Sequence, residues 1–280
     1  MTTESPNQLI VKGNREEIKD HYVPKSIENE RKNLRFKVFI RLNAKDVRFK
    51  NVSFLHCVFE GCYINSCVFD SCDFTGCRFI ASNFHQTTFA SCDFRYATFE
   101  RTHIDSEILD SEAPREENLR MHFSRSLRMN YQQVGDAKSV NKAISIELGA
   151  TSAYLYKSWI SKETYYKEKY GGILKSSIQL LRWIEFWLLH AIWGNGESIL
   201  KLIRSLALVL ICIAVYDILT NGNPMDLSQY WNNLARAPAI FLGVLSPTNF
   251  STGVLSVITG IKLVSFALLT ALLVKRFSRR

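Results

Sequence analysis

Cysteine is the residue type whose spacing in this chain could support chemistry. Six of the seven cysteines lie between positions 57 and 92, separated by multiples of five residues. Clustered thiolates can bind a metal, form disulfides or attack an electrophile. A zinc ribbon needs two pairs of cysteines with two to four residues of spacing, which the sequence does not contain. We expect these side chains to fill a narrow interior as small hydrophobes, and we predict no metal and no cofactor.

A second possible chemistry is anion binding by basic side chains that follow position 110. Apolar residues at steps of four predict an amphipathic helix over 115–134, with arginines between them. Clustered basic side chains attract the phosphates of a nucleotide or oligonucleotide. Neighbouring acids could equally make this a solvated charged face. The candidate anion ligands are Arg115, Arg120, Arg125, Arg128, Lys138 and Lys142.

A third candidate is a lysine in a long apolar stretch near the carboxyl end. Lys262 is the only charged residue of 253–274, and an ionisable residue at membrane depth is costly and often functional. A ring of such lysines around a pore would favour anions. The lysine could instead snorkel or pair with Asp217. The predicted pore-lining residues are Thr252, Ser256, Thr259, Lys262, Phe266 and Thr270.

Enzyme motifs are missing from the sequence. It contains no Walker loop, no His-Glu-x-x-His and no Gly-x-Ser-x-Gly, and its six histidines are scattered. The 280 residues are 47% hydrophobic and 22% charged, which excludes a wholly disordered chain and a collagen-like fibre. We therefore do not expect an enzyme.

The cysteines belong to a repeat with a period of five residues. A large apolar residue stands at every fifth position from Phe49 to Leu109, and a small or β-branched residue stands two positions before nearly all of them. A period of five fits neither a helix, at 3.6, nor a strand, at 2. It fits a chain that turns a corner every five residues, with one large and one small residue facing inward on each side.

This pattern resembles the pentapeptide-repeat family. The resemblance implies a right-handed quadrilateral β-solenoid of about three coils, whose edges adjoining segments must cap. Some members of that family mimic DNA toward type II topoisomerases with long acidic solenoids. Residues 45–110 are short for that role and hold 9 acidic against 6 basic residues. Topoisomerase modulation is thus a weaker alternative, and direct binding of duplex DNA is not expected.

Membrane segments are predicted at the other end of the chain. Residues 199–219 and 253–274 are long and apolar enough to cross a hydrocarbon core of about 30 Å. Residues 176–193 mix tryptophans with charges, which is typical of a helix lying in the interface, with a third span as the alternative. Basic residues flank both spans on one side, so we expect both termini in the cytoplasm. The polar first twenty residues predict no cleavable signal.

The order of span, outer connection, span and basic end resembles two-span potassium-channel-like subunits, four of which surround a pore. Residues 234–246 would be the re-entrant helix. Residues 127–136, Leu-Arg-x-Asn-x-x-x-x-Gly-Asp, also resemble the helical connector of pentapeptide-repeat proteins that end in such a pair of spans. The potassium filter is built from a Thr-Val-Gly-Tyr-Gly type stretch, and residues 242–250 have no such motif. A potassium-selective pore is therefore not expected.

The predicted fold class is mixed, with a β-solenoid followed by α-helices. The function that we hypothesise is that of a homo-oligomeric, tetrameric ion channel in the bacterial inner membrane, gated by its cytoplasmic part. Analogy suggests an antiviral or stress effector that depolarises the cell, controlled by a nucleotide or oligonucleotide from a partner enzyme. A membrane-anchored scaffold is the alternative. The predicted parts are a basic segment (1–44), the β-solenoid (45–110), a helical hairpin connector (111–172), an interfacial amphipathic helix (173–196) and a two-span membrane domain with a re-entrant loop (197–280).

Overall fold

The computed structural model describes residues 15–222 and 226–277; the predicted basic end at 278–280 and the first fourteen residues lie outside these ranges. Two compact units, Met1–Tyr154 and Leu155–Arg280, make up the chain. The strands are β1 (Glu17–Lys19), β2 (Tyr22–Val23), β3 (Ile27–Glu28), β4 (Val38–Ile40), β5 (Asn43–Lys45), β6 (Arg48–Lys50), β7 (Val58–Glu60), β8 (Tyr63–Asn65), β9 (Val68–Asp70), β10 (Arg78–Ile80), β11 (Asn83–Phe84), β12 (Thr88–Ala90), β13 (Thr98–Glu100) and β14 (His103–Ile104). The helices are α1 (Ile108–Ser111), α2 (Glu117–Val134), α3 (Ala137–Ile160), α4 (Thr164–Tyr170), α5 (Ile173–Trp193), α6 (Ile199–Asn221), α7 (Leu227–Leu242) and α8 (Thr252–Phe277).

The first unit contains a four-sided β-solenoid of about four turns. Three sides are parallel sheets, with strand orders β1-β4-β7-β10-β13, β2-β5-β8-β11-β14 and β3-β6-β9-β12. Isolated parallel bridges, Ser53 to Asp73 and Asp73 to Asp93, link the coils on the fourth side. From β4 onward, residues twenty apart pair in register, as Phe59 does with Phe79. Four repeats of five residues therefore make one coil, as the family resemblance implies.

The large residues of the repeat stack on one another in the solenoid interior. Phe49 and Phe69 have ring centroids 4.6 Å apart and planes within 7° of parallel, and Phe79 and Phe99 stack at 4.8 Å. The coil spacing sets these distances, since paired strands lie about 4.8 Å apart. Stacked and edge-on aromatic pairs contribute about 0.5–1.5 kcal/mol each beyond the area they bury. The predicted inward column of large residues is confirmed.

The corners of the solenoid use the left-handed backbone conformation at every fifth residue. From Arg41 to Arg101, every fifth residue has φ between 47° and 68°. Of these thirteen corners, only Gly61 and Gly76 are glycine. A residue with a Cβ is disfavoured there by about 1–2 kcal/mol. Packing and inter-coil hydrogen bonds therefore hold these corners against a local preference.

The solenoid begins earlier than the predicted start at residue 45. Strands β1, β2 and β3 lie in the segment predicted only to be basic, and they pair with β4, β5 and β6. The period is broken there, because Ile27 pairs with Phe49, 22 residues away, and Ile18 pairs with Phe39, 21 residues away. Because the spacing is irregular, the five-residue pattern did not reveal this coil. The sequence therefore predicted about three coils, whereas the structure has about four.

Helix α2 covers the carboxyl edge of the solenoid. Asn130 accepts from the backbone N–H of Thr102 and donates to its carbonyl, both at 2.7 Å. Ser126 Oγ accepts from the backbone N–H of Phe99 at 2.9 Å. Beneath them, Phe123 and Leu127 are buried in the same core as the phenylalanine stacks. An exposed sheet edge invites pairing with other chains, and α2 removes that possibility at this end.

Helices α2 and α3 follow the solenoid and are separated at Gly135 and Asp136. Helix α2 matches the amphipathic helix predicted over 115–134, and Gly135, with φ of 81°, ends it. Asp136 Oδ1 accepts from the backbone N–H of Ser139 at 3.0 Å and so begins α3. Helix α3 ends at Ile160, and α4 follows as a separate helix.

The second unit contains two helices that are long and apolar enough, by length and composition, to cross a membrane. They are Ile199–Thr220 of α6 and Thr252–Phe277, which is α8. The helix predicted as re-entrant over 234–246 begins earlier, since α7 starts at Leu227. Asp226 caps it by accepting from the backbone N–H of Ser228 at 3.0 Å, a signal that the apolar run alone did not reveal.

Candidate functional site

Helices α6 and α7 form the packed part of the second unit. Ile213 and Ala214 of α6 are buried against Ala237 and Ile240 of α7. Phe250, in the connection that follows α7, packs edge-on against Tyr216 with ring centroids 5.0 Å apart. A sixteen-residue helix is therefore folded back between two helices of membrane-crossing length. Helix α8 therefore starts beside the carboxyl end of α6, the same end from which α7 starts.

Basic side chains collect at the opposite end, where α6 begins and α8 ends. Lys275 of α8 donates to the carbonyl of Gly196 at 3.0 Å and forms an ion pair with Glu197. Lys201 Nζ lies 2.7 Å from His190 Nε2, and burial together with the charge of Lys201 lowers the pKa of His190. The start of α6 and the end of α8 are therefore adjacent, and both carry basic side chains.

Lys262 lies at the carboxyl end of α7. Its Nζ donates to the carbonyl of Leu242 at 3.3 Å, one of the carbonyls that the last turn leaves unpaired. The helix ends at Gly243, whose φ of 79° is suited to glycine. A helix carboxyl terminus carries partial negative charge, so this lysine offsets it. Lys262 thus contacts a backbone carbonyl, whereas the sequence had offered Asp217 as one alternative partner.

The other predicted pore-lining residues lie along an exposed face of α8. Thr252, Ser256, Thr259, Phe266 and Thr270 are all exposed. Three of their hydroxyls donate to carbonyls four residues earlier in the same helix, at 2.8 to 2.9 Å. Hydroxyls satisfied in this way can face lipid, another helix or water without an unpaired donor. The structure keeps these residues on one helix, with Lys262 at the edge of the row.

In the first unit, two of the predicted anion-binding arginines share one carboxylate. Arg125 Nε and Arg128 Nε donate to the two oxygens of Glu147 on α3, at 2.9 and 2.8 Å. This ion-pair network joins α2 to α3 and neutralises part of the cluster. Sequence reasoning missed Glu147, because it lies about twenty residues away on the neighbouring helix.

The remaining four candidates are not gathered around one site. Arg120 donates to the carbonyl of Pro114 at 3.0 Å, and Lys142 pairs with Asp110 at 2.5 Å. Arg115 and Lys138 are exposed, and their side chains contact no carboxylate among the residues that the structure describes. The six basic residues therefore do not form the single anion site that the spacing suggested as one alternative.

The cysteines of the repeat are buried free thiols that also bond from coil to coil. Cys57 Sγ donates to the carbonyl of Leu34 at 2.8 Å, and Cys77 Sγ donates to the carbonyl of Phe54 at 2.9 Å. Thr87 uses its hydroxyl in the same way, donating to the carbonyl of Ile64 at 2.9 Å. Burial raises the pKa of Cys57 and Cys62 to about 11, which suppresses thiolate chemistry.

The comparison with known families bears on the solenoid alone. Residues 42–112 match the pentapeptide repeat region. The matched stretch runs from β5 through α1 and covers about a quarter of the chain. A search of curated proteins finds no match. Sequence and structure thus agree on the pentapeptide repeat region. The family match does not extend to the second unit.

The residues that close the pentapeptide repeat region were not predicted individually. Besides Asn130 and Ser126, Glu112 accepts from the backbone N–H of Cys92, and Gln133 accepts from that of Arg101 at 2.9 Å. On α2 the three closing residues are spaced by four and three, beside the apolar stripe. A polar row next to an apolar row at helical spacing is the signal that could have found them.

Proposed function

We propose that this protein is a homo-oligomeric membrane pore, assembled around α8, rather than an enzyme. The observation that supports this most is the exposure of α8: only 11% of its apolar window is buried, against 28% for α6. An apolar surface of that size needs lipid or another protein surface to cover it. The row of hydroxyls on α8 gives copies a face that differs from the mostly apolar remainder.

The charges at the ends of the second unit support one orientation. The end that holds Lys201, Arg204 and Lys275 is basic, and positive residues prefer the cytoplasmic side. We therefore propose that α7 approaches the membrane from the outer side as a re-entrant helix and that both termini are cytoplasmic. The first unit would then lie in the cytoplasm. The protein as a whole would be anchored in the inner membrane of a bacterium.

Lys262 supports a pore that does not favour cations. A short helix that points its carboxyl end into a pore offers partial negative charge to a cation. Here Lys262 already donates to that carboxyl end, at Leu242. Four copies, if the assembly is a tetramer, would place four ammonium groups at one level, which favours anions.

We extend the proposal to regulation by the first unit. Its joined solenoid and helices precede the membrane helices in the chain, which is the order of a gating domain and a pore. In this proposal the pore depolarises the cell during phage infection or stress, in response to a nucleotide or oligonucleotide from a partner enzyme. The support for this last part is the order of the units.

Conductance of the purified full chain in planar lipid bilayers tests the proposal. We expect discrete current steps and, under a KCl gradient, a reversal potential on the anion-selective side. Lys262→Gln should move that potential toward cation selectivity. Lys175→Gln on α5 is the matched control, because it removes one exposed lysine outside the two membrane-crossing helices.

Two results would overturn the proposal at different points. Absence of current at every protein density would favour the membrane-anchored scaffold, in which the helices only tether the solenoid. Current with a reversal potential unchanged by Lys262→Gln would remove Lys262 from the ion path. Mass measurement of the detergent-solubilised protein gives the number of copies.

A further inference from the structure

The first unit has a groove that the predicted anion site did not include. It lies between the outer face of strands β10 and β13 and helix α2, and it encloses about 490 Å³. That volume is in the range of pockets that hold small organic ligands. Arg125 is the one residue that the groove shares with the six predicted anion ligands.

Strand and helix register place the basic side chains at one end of the groove. Arg78 pairs in register with Thr98, so both stand at the amino end of their strands. Ser126 of α2 accepts from the backbone N–H of Phe99, the residue that follows Thr98. The turn of α2 that precedes Ser126 therefore lies beside this end. It brings the last two basic residues of the groove, His122 and Arg125, toward Arg78.

These basic side chains have unused hydrogen-bonding capacity. Arg78 and His122 form no side-chain hydrogen bond or ion pair with any residue in the described ranges. Arg125 gives its Nε to Glu147, and its two terminal nitrogens donate to no residue in the part of the chain that the structure describes. The one acid in the lining, Glu100, is paired with Arg101 at 3.2 Å. The basic end is thus suited to an anion with several oxygens, such as a phosphate.

Beyond its basic end, the groove is lined first by apolar side chains and then by polar ones. Ile80 of β10 and Met129 of α2 line its middle, and Met129 is 51% exposed although its side chain is apolar. Gln133 and Glu100 stand at the far end, because Gln133 contacts the backbone N–H of Arg101. A ligand that fits this order has a phosphate, a flat apolar body and hydrogen-bonding edges.

We propose that this groove binds a nucleoside monophosphate. The phosphate contacts Arg78, His122 and Arg125, and the base lies over Ile80 and Met129. The charge of the basic end argues for a phosphate, and the apolar middle argues for a ring system rather than a bare ion. This inference names a ligand site in the first unit, and it is tested by binding without any current, so it can hold when the pore proposal fails.

Isothermal titration of the detergent-solubilised full chain with AMP, GMP, CMP and UMP tests the site. We expect at least one nucleotide to bind, with inorganic phosphate and the matching nucleoside each binding more weakly. Arg78→Gln and His122→Gln should each weaken binding about tenfold, because each removes a charge-assisted or directional contact to phosphate. Lys45→Gln on β5 removes one exposed lysine from another side of the solenoid and should leave binding unchanged.

Each other outcome overturns the assignment. Absence of binding by all four nucleotides rejects the site, and equal binding of phosphate and nucleotide reduces it to a phosphate site without a base. An equal loss for Lys45→Gln would show general attraction to a basic surface. Because Arg78 is exposed and unpaired, its variant should fold, and amide hydrogen exchange of β10 and β13 checks this directly.

Discussion

The two units of this chain handle apolar surface in opposite ways. In the solenoid, Phe54 and Phe74 are 2% and 0% exposed, and the chain itself supplies every neighbour. In the second unit, Leu200, Trp231 and Val257 are 79%, 77% and 62% exposed. The first unit holds together through internal stacking, whereas the second leaves large apolar side chains exposed. One chain thus joins a closed apolar interior to helices whose apolar faces are largely uncovered within the chain.

The largest expected effect comes from removing one interior ring. Phe74→Ala should lower the free energy of unfolding of the first unit by about 3–5 kcal/mol, because a buried ring leaves a cavity in a tightly stacked column. Phe266→Ala on α8, where the side chain is 50% exposed, should change stability by about 1 kcal/mol or less. The comparison of units fails if the two variants are equally destabilising.

The chain supplies separate probes for this measurement. All five tryptophans lie in 155–280, so their fluorescence during urea unfolding in detergent follows the second unit. Amide hydrogen exchange of the β-strands follows the first. Phe74→Ala should shift the exchange curve and leave the tryptophan curve in place. A matching shift in both would show that the units unfold together.

A smaller effect is expected at the closed edge of the solenoid. Asn130→Ala removes two 2.7 Å hydrogen bonds and leaves the N–H and carbonyl of Thr102 buried and unpaired. Each unpaired group costs at least about 1 kcal/mol, so we expect a loss of about 2 kcal/mol or more. Faster exchange of the Thr102 amide is the direct measurement. Gln132→Ala, on the exposed side of the same helix, should leave that amide protected.

Alkaline pH should destabilise the solenoid through its thiols. Burial raises the pKa of Cys57 and Cys62 to about 11, while an unfolded thiol titrates near about 8.5. Between these values the unfolded chain has lost protons that the folded chain keeps, so stability falls as pH rises. The expected loss is on the order of 3 kcal/mol per thiol, complete above the folded pKa.

Urea unfolding between pH 8 and pH 11, followed by exchange of the β-strands, measures this slope. Replacing both cysteines by alanine should flatten the dependence. Cys212→Ala, in the second unit, should leave the slope as it is, since that thiol is exposed. A slope that survives the double replacement would assign the effect to other groups.

The smallest effects are expected at the left-handed corners, and their signs should differ. Ala81, with φ of 47°, should gain about 0.5–1 kcal/mol of stability on replacement by glycine. Gly61→Ala should lose about 1 kcal/mol, because its added Cβ has room, 3.7 Å from Arg41 Cγ, but an unfavourable φ of 60°. Gly149→Ala in α3 is the control, where helix propensity predicts a gain. Thermal unfolding of the three variants checks the signs.

The strength of the sequence pattern explains what could be predicted. A period of five with no miss from Phe49 predicted an interior of large residues and a column of small ones, both of which depend on local spacing. The four sides were implied by the family resemblance. The first coil could not be found in this way, because Ile18 and Ile27 stand 21 and 22 residues before their partners. The left-handed corners carry many residue types, so composition gave no sign of them.

Contacts between segments far apart in the sequence were the second feature that could not be predicted. Lys262 was recognised as unusual, but its partner, the carbonyl of Leu242, depends on where α7 ends. The basic residues of α2 were recognised as a cluster, but Glu147 on α3 takes up two of them. Side-chain identity predicts that a charge needs a partner, and only the packing of helices decides which one it meets.

The closure of the last coil by α2 restricts how this protein can change its length. Twenty residues complete one circuit, so a duplication of twenty residues inside the body would leave Asn130 facing the same backbone groups. A five-residue insertion would instead shift the final rung by a quarter turn and bring a different side beneath the helix. Evolutionary gain or loss of repeats should therefore proceed by whole circuits, unless the helix is replaced at the same time.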